Sequence, residues 1–136
     1  MQAIGENSHH VSVNLGWVLR QENDTDGARS MFEESLRTSR RHGDRSGLAY
    51  ASLGLACVAS DLGDWYRAGE LHGAAQAFLD RTGEPWQDPE ADYRRDSLDK
   101  LRAQLGDERL DRAYAQGAAL SFDDAVDLGF GRARSA

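Results

Sequence analysis

The chain has 136 residues, with 23 acidic against 16 basic side chains and a formal net charge of −7, a balance that opposes a polyanionic partner such as nucleic acid. Its one cysteine, Cys57, excludes an internal disulfide. No stretch approaches the roughly 20 apolar residues of a membrane span, and the start MQAIGENSHH lacks the basic-then-apolar pattern of an export signal. The expectation is a single compact domain in the cytoplasm.

The layout of Ser12 to Ser35 returns forty residues later, from Ser52 to Ala75: Leu15 meets Leu55, Val18 meets Val58, Asp24 meets Asp64, Ala28 meets Ala68 and Met31 meets Leu71. A fixed period of this size marks a repeat in which each helix pair buries its apolar face only by stacking on a neighbour. In chain order, residues 8 to 22 read as a first helix with Val11, Leu15, Val18 and Leu19 on one stripe. Asn23 to Asp26 break it, and a second helix over 26 to 41 carries Ala28, Met31, Phe32, Ser35 and Leu36, with Gly43 after its end. The third helix, 45 to 62, has Leu48, Ala51, Ser52, Leu55, Ala56, Ala59 and Leu62, and its small residues predict close approach on several sides and the most buried place. The fourth, 65 to 81, turns Ala68, Leu71, His72, Ala75, Phe78 and Leu79 inward and ends at Gly83.

The forty-residue echo then stops at GEPWQDP, which holds both prolines. Asp88 as N-cap with Pro89 in the first turn predicts a fifth helix, striped by Tyr93, Leu98, Leu101 and Leu105 and ended by Gly106. Asp107 is expected to cap a sixth with Leu110, Ala113, Tyr114 and Gly117 along one side. Ser121 is expected to cap a short seventh with Ala125, Val126 and Phe130. The tail GRARSA is expected to fray. No alternating β-branched run occurs, so the fold class is all-α.

Leu15-Gly16, Ala28, Phe32 and Ser35 resemble the tetratricopeptide (TPR) consensus, whose small residues let two helices pack closely; the second copy departs from it with Leu55-Ala56 and His72, and its period is forty rather than thirty-four. The run Leu62 to Val126 is similar to the C-terminal end of actinobacterial-type transcriptional regulators that join an AAA/NB-ARC ATPase to a TPR array, LuxR-type regulators among them. The resemblance implies a TPR-like right-handed superhelical solenoid of antiparallel hairpins: residues 1–44 the first, 45–84 the second, 85–130 a helical cap and 131–136 a frayed tail. It implies a protein-interaction module of a regulatory system. The ATPase itself is not carried over, because a phosphate loop needs a lysine behind its glycines and the sole lysine, Lys100, follows Asp99.

Such arrays bind a partner segment along the inner face of their first helices. On that alignment His10, Val13, Asn14, Trp17, Arg20 and Gln21 face the groove, with Tyr50, Leu53, Gly54, Cys57, Ser60 and Asp61 as counterparts. Trp17 beside an amide and a guanidinium is apt equipment for an anchor; alternatively it packs on the third helix or a neighbouring repeat. A small molecule or peptide sensed in the same groove is the second functional reading. An enzyme has no support: His9 and His10 diverge on a helix and cannot share a metal, His72 reads as an interior histidine, and Cys57 as an inert buried thiol. Asp123 and Asp124 read as first-turn acids and the Arg40, Arg41, Arg45 cluster as last-turn bases. No cofactor or metal is expected. Trp65, Trp86 and Tyr93 are expected to pin the fourth helix to the cap. Apolar residues of the first hairpin in excess of one stripe (Val11, Val13, Trp17, Val18, Met31 and Phe32) suggest a homodimer through it.

Overall fold

The computed structural model describes residues 4–132, with side chains from residue 11 onward. Seven helices account for most of the described residues: α1 (Ile4–Gln21), α2 (Thr25–His42), α3 (Arg45–Asp61), α4 (Trp65–Asp80), α5 (Glu90–Leu105), α6 (Asp107–Ala118) and α7 (Phe122–Phe130). The fold is all-α; among the described residues there is no strand.

The helix ends follow local chemistry. The Gly27 N–H donates to Asp24 Oδ1 (2.9 Å) and the Gly47 N–H to Asp44 Oδ1 (2.9 Å), so an aspartate satisfies a free first-turn donor at the start of α2 and again at α3. Ser121 does the same for α7, accepting from the Asp124 N–H at 3.1 Å. Gly43 closes α2 in the left-handed conformation, φ 66°, with its N–H turned back to the helix carbonyls. Two expected caps differ. α5 begins after Pro89, the Ala91 N–H bonding the Gln87 carbonyl, so a backbone oxygen rather than the Asp88 side chain serves the first turn. Asp107 is the first residue of α6 instead of its cap, and pairs with Arg102 at 2.9 Å.

Packing proceeds helix on helix. α1 pairs with α2, α2 with α3 and α3 with α4, while α6 rather than α5 lies along α4. The α4–α6 contact is close because glycines meet backbone: a Cβ on Gly73 would strike the Tyr114 carbonyl, and one on Gly117 the Glu70 carbonyl. α5, displaced from the stack, crosses to α3, α4 and Trp17 of α1, whereas α7 lies against α2, α3 and α4. Cys57 and Leu55 of α3 mark these two sides. Ser97 of α5 hydrogen-bonds Cys57, and Gly129 of α7 sits beside Leu55 and Leu36. Two residues apart on a helix, positions 55 and 57 point nearly oppositely. Helix α3 is therefore enclosed on several sides, and Ala51 to Ser60 are buried without interruption, as its small residues led one to expect.

α7 also takes up the basic cluster at the α2–α3 turn: Arg40 pairs with Asp123 (3.3 Å) and the Arg45 guanidinium lies 5.4 Å from the Phe122 ring centre. The start of the tail is held, since Arg132 stacks 4.4 Å from the Phe130 ring centre and its N–H bonds the Asp127 carbonyl; residues 133–136 lie outside the described residues.

The first helix departs most from its expected stripe. Val11, Leu15 and Val18 are 63%, 44% and 48% exposed, while Val13 and Trp17 are buried and Leu19 is half-buried. The inward face is set by Gly16, which lies against the Phe32 ring, and by Trp17, whose ring meets that of Phe32 at 4.9 Å. Periodicity finds two stripes on this helix, and packing of the aromatic pair selects the second. Leu62, expected on the α3 stripe, is 56% exposed because the helix has ended at Asp61.

Candidate functional site

The face formed by α1 and α3, where a partner segment is expected, carries α5. Its residues Tyr93, Ser97 and Leu101 recur every four positions and so share one side of the helix. Tyr93 meets Trp17 with ring centres 4.7 Å apart, and Leu101 is fully buried. Ser97 Oγ lies 2.8 Å from His72 Nε2 and also bonds the Cys57 thiol, so one hydroxyl ties α5 to α3 and α4. At one end of α5, Lys100 Nζ sits 5.7 Å from the Trp65 ring centre; at the other, Arg94 donates to the Tyr114 hydroxyl at 3.1 Å.

Burial fixes the chemistry of this polar knot. It pushes the Cys57 thiol up to about 11 despite the nearby Arg20 guanidinium, and pulls His72 down to about 3, with the Arg94 charge acting in the same direction. Both groups are therefore neutral near pH 7. The thiol is protonated and sealed from solvent, which suits a structural role. His72 takes the place of Phe32 in the second copy, and its Nδ1 has no hydrogen-bond partner in the structure.

The expected groove residues do not share one setting. Trp17 (6% exposed), Leu53 and Cys57 are buried, so Trp17 is an internal aromatic and not an exposed anchor, and Ser60 is buried with them. Arg20 and Asp61 hold each other in a two-pronged pair, Nε to Oδ2 at 2.7 Å and Nη2 to Oδ1 at 3.0 Å, joining α1 to α3. Gly54 faces the Phe32 ring on α2 instead of the groove. Gln21 is exposed at the end of α1, and the side chain of His10, like that of His9, lies outside the described residues.

Asn14 is exposed and Tyr50 half-buried, and buried Val13 lies beside them. With Glu84, Pro85, Gln87, Asp88 and Glu90 they line a pocket of about 280 Å³ between α1, α3 and the α4–α5 connector. The Gln87 N–H donates to the Tyr50 hydroxyl (3.0 Å), and the Trp86 ring stands edge-on to Tyr50 at 5.0 Å, which moors the connector to α3. Trp86 Nε1 also donates to Gln76 Oε1 (2.9 Å) on α4, so Trp86 and Trp65 tie α4 to the cap while Tyr93 reaches α1. Ser97 and the pocket carboxylates Glu84 and Glu90 were not among the expected site residues, and Asp88 was expected only as a helix cap. Ser97 had a signal, being the polar member of the 93, 97, 101 spacing.

Among the described residues no group of three or more His, Cys, Asp or Glu side chains could hold a metal ion, and no helix is long and apolar enough to cross a membrane. Comparison of the chain with protein-family models, curated proteins and solved structures finds no match.

Proposed function

We propose that the chain is a protein-interaction module of a regulatory system, built as a TPR-like right-handed solenoid in which α1–α2 and α3–α4 are the hairpins and α5 to α7 the cap. The observation that carries this reading is the distribution of what is covered. The inner face is taken by α5 as a partner segment would take it, whereas Val11, Leu15 and Val18 form a continuous apolar stripe on the outer side of α1. Three large aliphatic side chains at helical spacing on a single exposed face are a binding surface in a way that scattered exposed residues are not. The family resemblance adds the regulatory setting, with the module acting as a sensor or autoinhibitory arm of a transcriptional regulator or as a free adaptor.

Proximity labelling from the chain in the cells that make it, followed by titration of each recovered protein against the purified chain, tests this reading. The expected result is a protein that binds directly and whose binding is lost on changing exposed α1 residues while the fold is kept. Absence of any direct protein binder would contradict it.

A second reading, a small-molecule sensor, is favoured by the pocket beside Tyr50. Its carboxylates Glu84, Asp88 and Glu90 and an aromatic hydroxyl suit a small cationic ligand. A rise in melting temperature with an amine, abolished by Glu84→Gln with Asp88→Asn, would support that reading over the first.

A further inference from the structure

The repeat itself contains a record of what covers the exposed stripe of α1. Forty residues on, Val11, Leu15 and Val18 become Ala51, Leu55 and Val58, which are 0%, 2% and 2% exposed. Their cover is α2 together with α7. Gly47 lies against Ser39 and Gly54 against the Phe32 ring, so the side of α3 that receives α2 runs through Gly47, Ala51, Gly54 and Val58 at helical spacing, with Leu55 on its flank beside Leu36. On α1 the same side runs through Val11, Asn14 and Val18, with Leu15 on the flank. It continues the seam along which α2 meets α3, one repeat earlier.

We infer that this side of α1 is a docking face for an amphipathic helix of a partner protein, laid on α1 as α2 is laid on α3. The inference rests on the interaction-module reading and names the partner's chemistry. The one departure from the α3 pattern defines it further. At Gly54 the missing side chain makes room for the Phe32 ring; at the matching place α1 has Asn14, which is exposed. A helix with an aromatic at that place would collide with the amide. The partner helix therefore carries a small or hydrogen-bonding residue opposite Asn14 and aliphatic residues opposite Val11, Leu15 and Val18.

The probe is α2 itself, a second copy of Asp24 to Gly43 joined ahead of the full chain by a flexible Gly-Ser tether, which supplies it at millimolar effective concentration. With Phe32→Ala in the tethered copy, amide exchange across α1 is expected to slow by roughly tenfold. With the native Phe32 the protection should disappear, and with native Phe32 plus Asn14→Gly on α1 it should return. Leu15→Asp on α1 should abolish it in every form, while leaving the melting temperature of the untethered chain unchanged because Leu15 is exposed.

If no tethered copy protects α1, or if native Phe32 docks as well as Phe32→Ala without the glycine, the inference is wrong. Light scattering on the untethered chain decides against a second copy: a stable dimer lost on Leu15→Asp would give the face to self-association and overturn the partner-helix assignment. Failure of the tethered copies alongside a direct protein binder of the purified chain would remove this face and leave the module standing.

Discussion

Helices α1 and α3 are the same unit in two settings. Both follow an aliphatic pattern at the same spacing, yet α3 is buried nearly all round and α1 keeps Val11, Leu15 and Val18 in solvent. The difference lies in neighbours. α3 has helices on several sides, α1, α2, α4, α5 and α7, whereas α1 has α2 and α3 and, from α5, Tyr93. An apolar stripe thus says that a helix can be covered, while position in the stack decides whether it is. The second helices differ as well: Phe32 fills the seam between Gly16 and Gly54, and its counterpart His72 reaches Ser97 and fastens α5.

The largest expected effect separates α1 from α3 directly. Val58→Asp places a carboxyl group in a site 2% exposed, which should cost on the order of 3–5 kcal/mol and unfold much of the protein at 25 °C. Val18→Asp, forty residues earlier, should change stability by less than about 0.5 kcal/mol. Chemical denaturation of the two variants checks this, and equal losses would mean that α1 is covered.

His72 gives the next effect, and it depends on pH. Its folded value is lowered to about 3 from the ordinary 6.5, so between those values the unfolded chain binds the extra proton. The contribution of the neutral ring is complete above about pH 6.5 and is lost as pH falls toward 3. At pH 5 the loss should be roughly 2 kcal/mol. His72→Leu should flatten the stability profile from pH 6.5 to 5; a profile that keeps its slope in that variant would show that another group is responsible.

Comparable in size is the effect at the glycines that receive Phe32. Gly16→Ala and Gly54→Ala each push a methyl into the same ring and should each cost about 1–3 kcal/mol. Because one ring must give way to both, the double variant should lose less than the sum, measured as a double-mutant cycle. Strict additivity would place the two contacts on independent groups. The smallest effect is at the Arg20–Asp61 pair, whose side chains are about a third and a quarter exposed; Arg20→Ala should cost no more than about 1 kcal/mol and lose most of that dependence in high salt.

Much of the fold was legible because helix periodicity, aspartate and serine caps and left-handed glycines are local signals. The seven helices fall where these place them, and the crowding around α3 could be read from its alanines and glycines. Which of two apolar stripes on α1 turns inward could not, since Val13 and Trp17 compete with Val11, Leu15 and Val18 on equal terms until Phe32 and Tyr93 are in place. The seat of α5 was equally hidden. Sequence order puts it along α4, but Gly73 and Gly117 allow α6 closer to α4 than any helix with side chains there could come, and α5 keeps a lesser contact with α4 while reaching across to α3 and to Trp17 of α1. Of the site, the Arg20–Asp61 partnership joined two residues that the repeat had already aligned on one face. The polar link through Ser97 needed the path of a helix that no repeat copy foreshadowed.

Helix α5 covers the side of α3 that bears Cys57, and the single thiol reports on that cover. Cys57 lies beneath Ser97 and is fully buried, so native-state labelling by a small maleimide, timed against the same chain in denaturant and corrected for the raised thiol value, measures how often α5 leaves. The expected result is labelling slowed by on the order of a thousandfold or more, and accelerated strongly by Tyr93→Ala with Leu101→Asp, which should loosen α5 from its seat. Labelling of the unaltered protein at the rate of a free thiol would mean that this side of α3 stands open and that α5 does not cover it.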